Sequence, residues 1–235
     1  MSFLTRVRDD VRSIVQRDPA ALRAWEVAVL YPGVHAIVAH RASHWLWNHG
    51  AKFPARALSQ VSRFATGIEI HPAAQIGDRL FIDHGAGVVI GETAVIGDDV
   101  TLFHGVTLGG MSSIAEKRHP TVGDGVTVGT GAKVLGPIDV GDRSRIGANA
   151  VLLRSVPPES VVVGVPGQVI ASHGHRVAVS DRPTTDHSAS DPVGTALQAL
   201  IARVDELERN GQSAPKAIEP KTYDVGVWAS EDFSI

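Results

Sequence analysis

The sequence predicts an α+β protein: an N-terminal α-helical domain, then a left-handed parallel β-helix of six-residue repeats, then a C-terminal tail. Aliphatic residues return about every six positions from Ile70 to Leu152, a period that fits neither an α-helix nor an alternating strand. Before Gly67 the apolar residues follow helical stripes punctuated by proline and glycine. The six-residue run breaks once, at a polar loop carrying Lys117, Arg118, His119 and Pro120. A loop leaving a rigid scaffold is where chemistry is expected.

Residues 1–66 form the predicted helical domain. Phe3, Leu4, Val7, Val11, Ile14 and Val15 lie on one stripe of a first helix. Asp18-Pro19 reads as a cap and first-turn proline opening a second helix that runs through Leu30. Pro32 opens a third, closed by Gly50, and a fourth runs from Pro54 to about Thr66 with Gly67 ending it.

Residues 67–170 form the predicted β-helix. The leading aliphatics are Ile70, Ile76, Ile82, Ile90, Ile96, Leu102 and Leu108, then Val122, Val128, Val134, Val140, Ile146 and Leu152. In Val122-Gly-Asp-Gly-Val126-Thr the lead is followed by glycine, and a small or β-branched residue sits four positions on. Three such hexads close one triangular coil of roughly eighteen residues, and stacked coils bury a continuous core. Val88-Val89 reads as a two-residue insertion that resets the register at Ile90. Ordinary hairpin-connected strands would need period-two alternation instead. The last region, 171–235, reads as a polar linker over 171–192, a short helix marked by Leu197, Leu200, Ile201, Val204 and Leu207, and a flexible end.

Composition excludes several functions. A hydrophobic fraction of 43% and a charged fraction of 20% are ordinary for a globular chain. The net charge of −3 offers no basic field for nucleic acid or an anionic membrane. The most apolar stretch, Val27 to Ala39, is too short to span a bilayer. Cysteine is absent, so disulfides, thiolate metal sites and a cysteine acyl-enzyme are excluded. The first residues meet charge too early for a signal peptide, and a cytoplasmic location is expected.

Three polar groups stand out against the repeat. Glu69 and Asp83-His84 fall near one another on adjacent coils, where a carboxylate on one imidazole nitrogen would leave the other as a general base. The loop from Gly109 to Thr121 presents Lys117, Arg118 and His119, cations suited to a carboxylate or phosphate. Asp18 is the third, with helix capping as its plain alternative. His71 and His104 read as structural, and His173, His175 and His187 fall in the mobile region. Zinc hydratases of the γ-carbonic anhydrase type are similar in fold, but the position five after His119, where a third ligand would stand, is Asp124. No metal site is expected.

Several motifs occur in order. Glu69-Ile-His-Pro-Ala-Ala, Ile82-Asp-His-Gly-Ala-Gly, Val89-Ile-Gly-Glu-Thr-Ala, Val106-Thr-Leu-Gly-Gly and Lys117-Arg-His-Pro-Thr resemble the serine O-acetyltransferases of the hexapeptide-repeat acyltransferase superfamily. Arg17-Asp-Pro-Ala and His44-Trp-Leu-Trp-Asn resemble that family's helical domain. The resemblance implies transfer of acetyl from acetyl-CoA to the L-serine hydroxyl, giving O-acetyl-L-serine for cysteine biosynthesis. Acetyl-CoA is then a co-substrate, with no tightly bound cofactor. Carried over motif by motif, His84 is the general base and Glu69 its orienting partner. Asp18 and Asp83 face the serine ammonium, and Arg118 and His119 hold its carboxylate. A backbone amide near Gly110 would stabilise the oxyanion. Thr130, Arg145 and Ala148 are the candidate CoA contacts, by position on the later coils.

The resemblance further implies a homotrimer with interfacial sites, or a hexamer of two trimers, and feedback inhibition by L-cysteine. A C-terminal isoleucine, here Ile235, commonly enters the active site of O-acetylserine sulfhydrylase in this family. Many members carry Asp where Glu69 stands, and the segment Met111–Glu116 departs from the usual Gly, Thr and Lys. Two other readings keep the fold: an O-acetyltransferase for a sugar or xenobiotic hydroxyl, and a non-catalytic regulator of a sulfhydrylase.

Overall fold

The computed structural model describes residues 3–176 and 192–209. Two compact units are distinguished, Met1–Thr184 and Thr185–Ile235. In the first, four helices precede the strands: α1 (Phe3–Arg17), α2 (Ala24–Leu30), α3 (Pro32–Asn48) and α4 (Lys52–Thr66). The second contributes α5 (Pro192–Arg209), on which Leu200, Ile201, Val204 and Leu207 are exposed. Ile235 and His187 lie outside the described residues. Among the described residues no helix is long and apolar enough to cross a membrane.

Helix ends follow local chemistry, with one correction. Pro32 occupies the first turn of α3, and Gly50 ends it at φ 83°, where Gly50 N–H bonds Trp47 O and Ala51 N–H bonds Leu46 O. Gly67 ends α4 at φ 72°. The second helix, however, begins at Ala24 and not at Pro19, with Arg23 as its cap. Asp18 instead accepts from Ala20 N–H at 2.8 Å in a local turn, so it caps no helix and its carboxylate is available for other work.

Thirteen strands from β1 to β13 form the stacked part of a left-handed parallel β-helix. The first face pairs β1 (Glu69–Ile70), β4 (Val89–Ile90), β7 (Thr107–Gly109), β10 (Lys133–Leu135) and β13 (Val151–Leu152). The second pairs β2 (Gln75–Ile76), β5 (Val95–Ile96), β8 (Thr121–Val122) and β11 (Asp139–Val140). The third begins with β3 (Phe81–Ile82), β6 (Thr101–Leu102), β9 (Thr127–Val128) and β12 (Arg145–Ile146). Every lead is buried except the half-buried Ile76, and together they form one continuous core. Each such side chain contributes about 1.5–3 kcal/mol on burial.

Register locates the irregularities. Val89 pairs with Thr107 and Lys133 with Val151, the regular eighteen-residue step, whereas Glu69 pairs with Val89 and Thr107 with Lys133. The latter step accommodates the 109–120 loop. The former holds two extra residues, but these are not Val88-Val89: Val88 is a buried core residue and Val89 belongs to β4. The excess lies in the preceding corner, where His84, Gly85 and Gly87 all take positive φ. That widened corner turns His84 outward, with its side chain 70% exposed.

The glycine after each lead of the second face has a steric cause. Asp98, Asp124 and Asp142 each fold back to accept the N–H of Asp78, Asp98 and Asp124 one coil earlier, at 2.7–3.0 Å. A Cβ on Gly97 would fall 2.2 Å from Asp124 Oδ1. The repeated Gly-Asp is thus a ladder of carboxylates down one edge of the prism.

The helices are not a separate unit. Phe81 points away from the β-helix core into a cluster with Val11, Ile14, Val27 and Val34. A Cβ on Gly33 would fall 2.3 Å from Ile82 O, so only glycine lets α3 approach β3. A buried ion pair joins Asp10 to Arg41, and Asp10 also accepts from Arg79 N–H at 2.9 Å. Burial pushes the Asp10 carboxyl above its ordinary value, against the pull of Arg41.

The region after Pro166 also differs from expectation. β14 (Ser160–Val163), β15 (Gln168–Ser172) and β16 (His175–Arg176) add to the third face, the last two antiparallel to their neighbours. His173 and Gly174, both at positive φ, form a two-residue hairpin turn, and His173 Nδ1 lies 3.1 Å from Glu159 Oε2. These histidines belong to a sheet, not to a linker.

Candidate active site

Two polar clusters flank the first face. One lies on the edge leading into it. His84 sits at the outward corner with Nε2 4.0 Å from Asp83 Oδ1, and the His104 ring stands edge-on to it at 5.9 Å. His104 therefore lines this corner. Asp18 comes from the end of α1, and Tyr31 Oη donates to its Oδ2 at 2.6 Å. Burial raises the Asp83 carboxyl above its usual value, and the Asp18 charge raises it further, while His84 pulls it down. Tyr31 is pushed up to about 12, by burial, by its bond to Asp18 and by both carboxylates. Two neighbouring carboxylates, with a phenol that stays protonated, have the charge that suits a cation.

Glu69 lies one coil earlier on the first face, where its N–H bonds Val88 O, directly after the His84 corner. Its carboxylate pairs with Arg63 of α4 at 3.0 Å. The acid that lies within 4.0 Å of His84 is Asp83 and not Glu69.

The other cluster lies where the chain leaves the first face. Arg118 Nη2 pairs with Glu92 Oε2 at 2.5 Å. His119 is buried, with Nδ1 2.9 Å from Thr93 Oγ1, and Lys117 Nζ donates to Thr93 O at 2.7 Å. Burial, then the Arg118 charge, lowers the His119 pKa, so the ring is neutral at neutral pH. Gly110 is adjacent: a Cβ there would sit 3.2 Å from both Arg118 Cγ and His119 Nε2. His71, beneath this cluster, accepts from Ala73 N–H and meets Trp47 edge-on, and burial lowers it to about 4.

The candidate CoA residues continue the His84 edge. Gly105 N–H bonds Ala86 O, Gly131 N–H bonds His104 O, and Asn149 N–H bonds Thr130 O, so the corners stack coil upon coil. Thr130 and Ala148 fall in this column and Arg145 stands exposed on β12 beside it. At about 4.8 Å per coil the column gives a wall on the order of 15 Å long, a length suited to an extended pantetheine arm.

Within one chain, the width of the first face, on the order of 10 Å for a three-residue strand, separates the cationic cluster from the His84 cluster. Sequence reasoning missed Tyr31, Thr93, Glu92 and Gly91. Glu92 and Thr93 stood in the Gly-Glu-Thr motif without a role, and nothing in the sequence pointed to Tyr31.

A repeat-built prism with an outward histidine corner and a long ladder of exposed corners defines a hexapeptide-repeat transferase. The bacterial transferase hexapeptide model (six repeats) matches residues 119–154. A serine acetyltransferase of Mycobacterium tuberculosis is 53% identical over 99% of this chain and 100% of its own length, and one from Staphylococcus aureus is 49% identical over 90% and 97%. Among solved structures, the Neisseria gonorrhoeae serine acetyltransferase in complex with serine aligns with a TM-score of 0.70 and 42% identity, covering 72% of this chain and 69% of that one. A serine acetyltransferase complex with cysteine aligns with a TM-score of 0.69 at 42% identity, covering 72% and 70%. The chain belongs to the serine acetyltransferase family.

Proposed function

We propose that this protein transfers acetyl from acetyl-CoA to the hydroxyl of L-serine, giving O-acetyl-L-serine and CoA. The observation that carries the reading is the pairing of opposite receptors: two carboxylates at Asp18 and Asp83, and cations at Arg118 with a neutral histidine at His119. A zwitterion needs both, and a neutral sugar needs neither.

His84 removes the serine hydroxyl proton as the oxygen attacks the thioester carbonyl. The oxyanion is held near the Gly110 amide. Collapse breaks the carbon–sulfur bond, and the departing thiolate takes the proton from the His84 imidazolium. Glu69 acts as the orienting acid once its carboxylate leaves Arg63. CoA lies along the corner column at Thr130, Arg145 and Ala148.

Separation of the two clusters within one chain supports a site completed between subunits, the His84 edge of one copy meeting the Arg118 edge of the next. A trimer supplies three such sites. Exposed Trp25, Val29 and Leu30 on α2 are candidates for pairing two trimers. L-cysteine fits the same ammonium and carboxylate receptors and is the expected inhibitor. Ile235 is the expected contact for a sulfhydrylase, in a protein of the cytoplasm.

Purified protein is expected to release CoA from acetyl-CoA rapidly with L-serine and slowly without it, yielding O-acetyl-L-serine by mass. Equal turnover with sugar alcohols would favour the xenobiotic or sugar acceptor, and no turnover with any acceptor the regulator. Tyr31→Phe removes one hydrogen bond to Asp18, worth about 1 kcal/mol. The KM for serine is expected to rise roughly fivefold with that for acetyl-CoA unchanged; equal serine affinity would remove Tyr31 from the site.

A further inference from the structure

Thr93 makes an unusual set of contacts for a corner residue. Its Oγ1 accepts from Arg118 N–H at 3.0 Å and from His119 N–H at 3.1 Å. Both are obligate donors, so both hydroxyl lone pairs are filled. The third contact, to His119 Nδ1 at 2.9 Å, must then use the hydroxyl's own proton. Thr93 N–H points at the same Nδ1, at 3.2 Å. With two donors aimed at it, Nδ1 carries no hydrogen, and the ring proton sits on Nε2. Among the described residues Nε2 makes no hydrogen bond, and it lies beside Gly91 and Gly110.

We propose that Thr93 is a positioning residue that fixes His119 in the Nε2–H tautomer and so presents a neutral hydrogen-bond donor to the substrate carboxylate. The inference rests on the reading of the site as a serine receptor. In the other tautomer Nε2 would turn a lone pair toward a carboxylate and repel it. Thr93 also ties the backbone of Arg118 and His119 to the first face, so one hydroxyl orients both groups of the subsite.

The test uses full-length protein labelled with 15N-histidine, the His119 signal being assigned by its loss in His119→Gln. Wild type is expected to show protonated Nε2 and bare Nδ1 from pH 6 to 8. Thr93→Val keeps the side-chain shape and removes the hydroxyl. It is expected to mix the tautomers and raise the KM for serine about tenfold, with the KM for acetyl-CoA unchanged. Thr93→Ser should restore both. A protonated Nδ1 in wild type overturns the proposal, as does Thr93→Val with wild-type tautomer or wild-type serine KM. Should Thr93→Val fail to fold, the wild-type tautomer and Thr93→Ser decide. A wild-type protein inactive on serine would instead defeat the functional reading, with the tautomer result still standing.

Discussion

Replacing His84 by Asn is expected to lower kcat for serine acetylation by about 10²–10⁴, the usual contribution of a general base. Asparagine is the informative substitution because the residue stands at φ 56°, a left-handed conformation that asparagine tolerates and β-branched residues do not. The side chain is 70% exposed, so folding stability should change by no more than about 0.5 kcal/mol. Steady-state kinetics with thermal unfolding separate the two effects. Full activity in a folded His84→Asn protein would remove the base from the mechanism.

Gly91→Ala is expected to damage the opposite cluster. Its added Cβ would fall 2.0 Å from His119 Cδ2 and 2.1 Å from Nε2, a distance no real contact reaches. The ring must move, and with it Gly110 and Arg118. Overpacking of this kind costs about 1–3 kcal/mol of stability. The serine KM should rise at least about tenfold, while the KM for acetyl-CoA, whose proposed site follows the other edge, stays close to wild type. Gly91 has no positive φ, so space and not backbone conformation demands glycine here. An unchanged serine KM in a folded variant would show that His119 does not contact the amino acid.

The β-helix was legible because its repeat is local. A lead aliphatic every six residues, with a small residue four positions on, specifies one side of a triangle whatever its neighbours do. Ile70 to Leu152 could thus be placed inside from the sequence. The Gly-Asp pairs at 77–78, 97–98, 123–124 and 141–142 were visible too, but their cause was not. The last three of these carboxylates each cap an N–H of the preceding coil, a partner eighteen to twenty-six residues away.

Sequence and structure part where two local conformations have equal merit. Asp18-Pro19 carries the residues of a helix start, yet the chain makes a turn and begins α2 at Ala24. What holds Asp18 is Tyr31, thirteen residues on, through a bond that propensity cannot anticipate. Spacing alone counts the two-residue insertion but places it at Val88-Val89, because apolar residues look alike when only their spacing is read. Burial of Val88 moves the excess to the His84 corner. The polar segment after Pro166 resembled a linker, and its His-Gly turn was the overlooked hairpin signal.

For the candidate site, the motifs named the chemical groups and not their grouping. His84, Asp83, Asp18, Arg118 and His119 were each visible as residues. Hexad spacing alone dictates a left-handed β-helix with one outward loop, because its packing is set by side chains six residues apart. That Asp18 and Asp83 stand at one edge of the first face, and Arg118 and His119 at the other, follows from the fold alone. It alone joined Tyr31 to Asp18 and Thr93 to His119. The physical reason is that a hydrogen-bond partner is chosen by where stacked coils bring a donor, and the lengths of every intervening corner and loop fix that position.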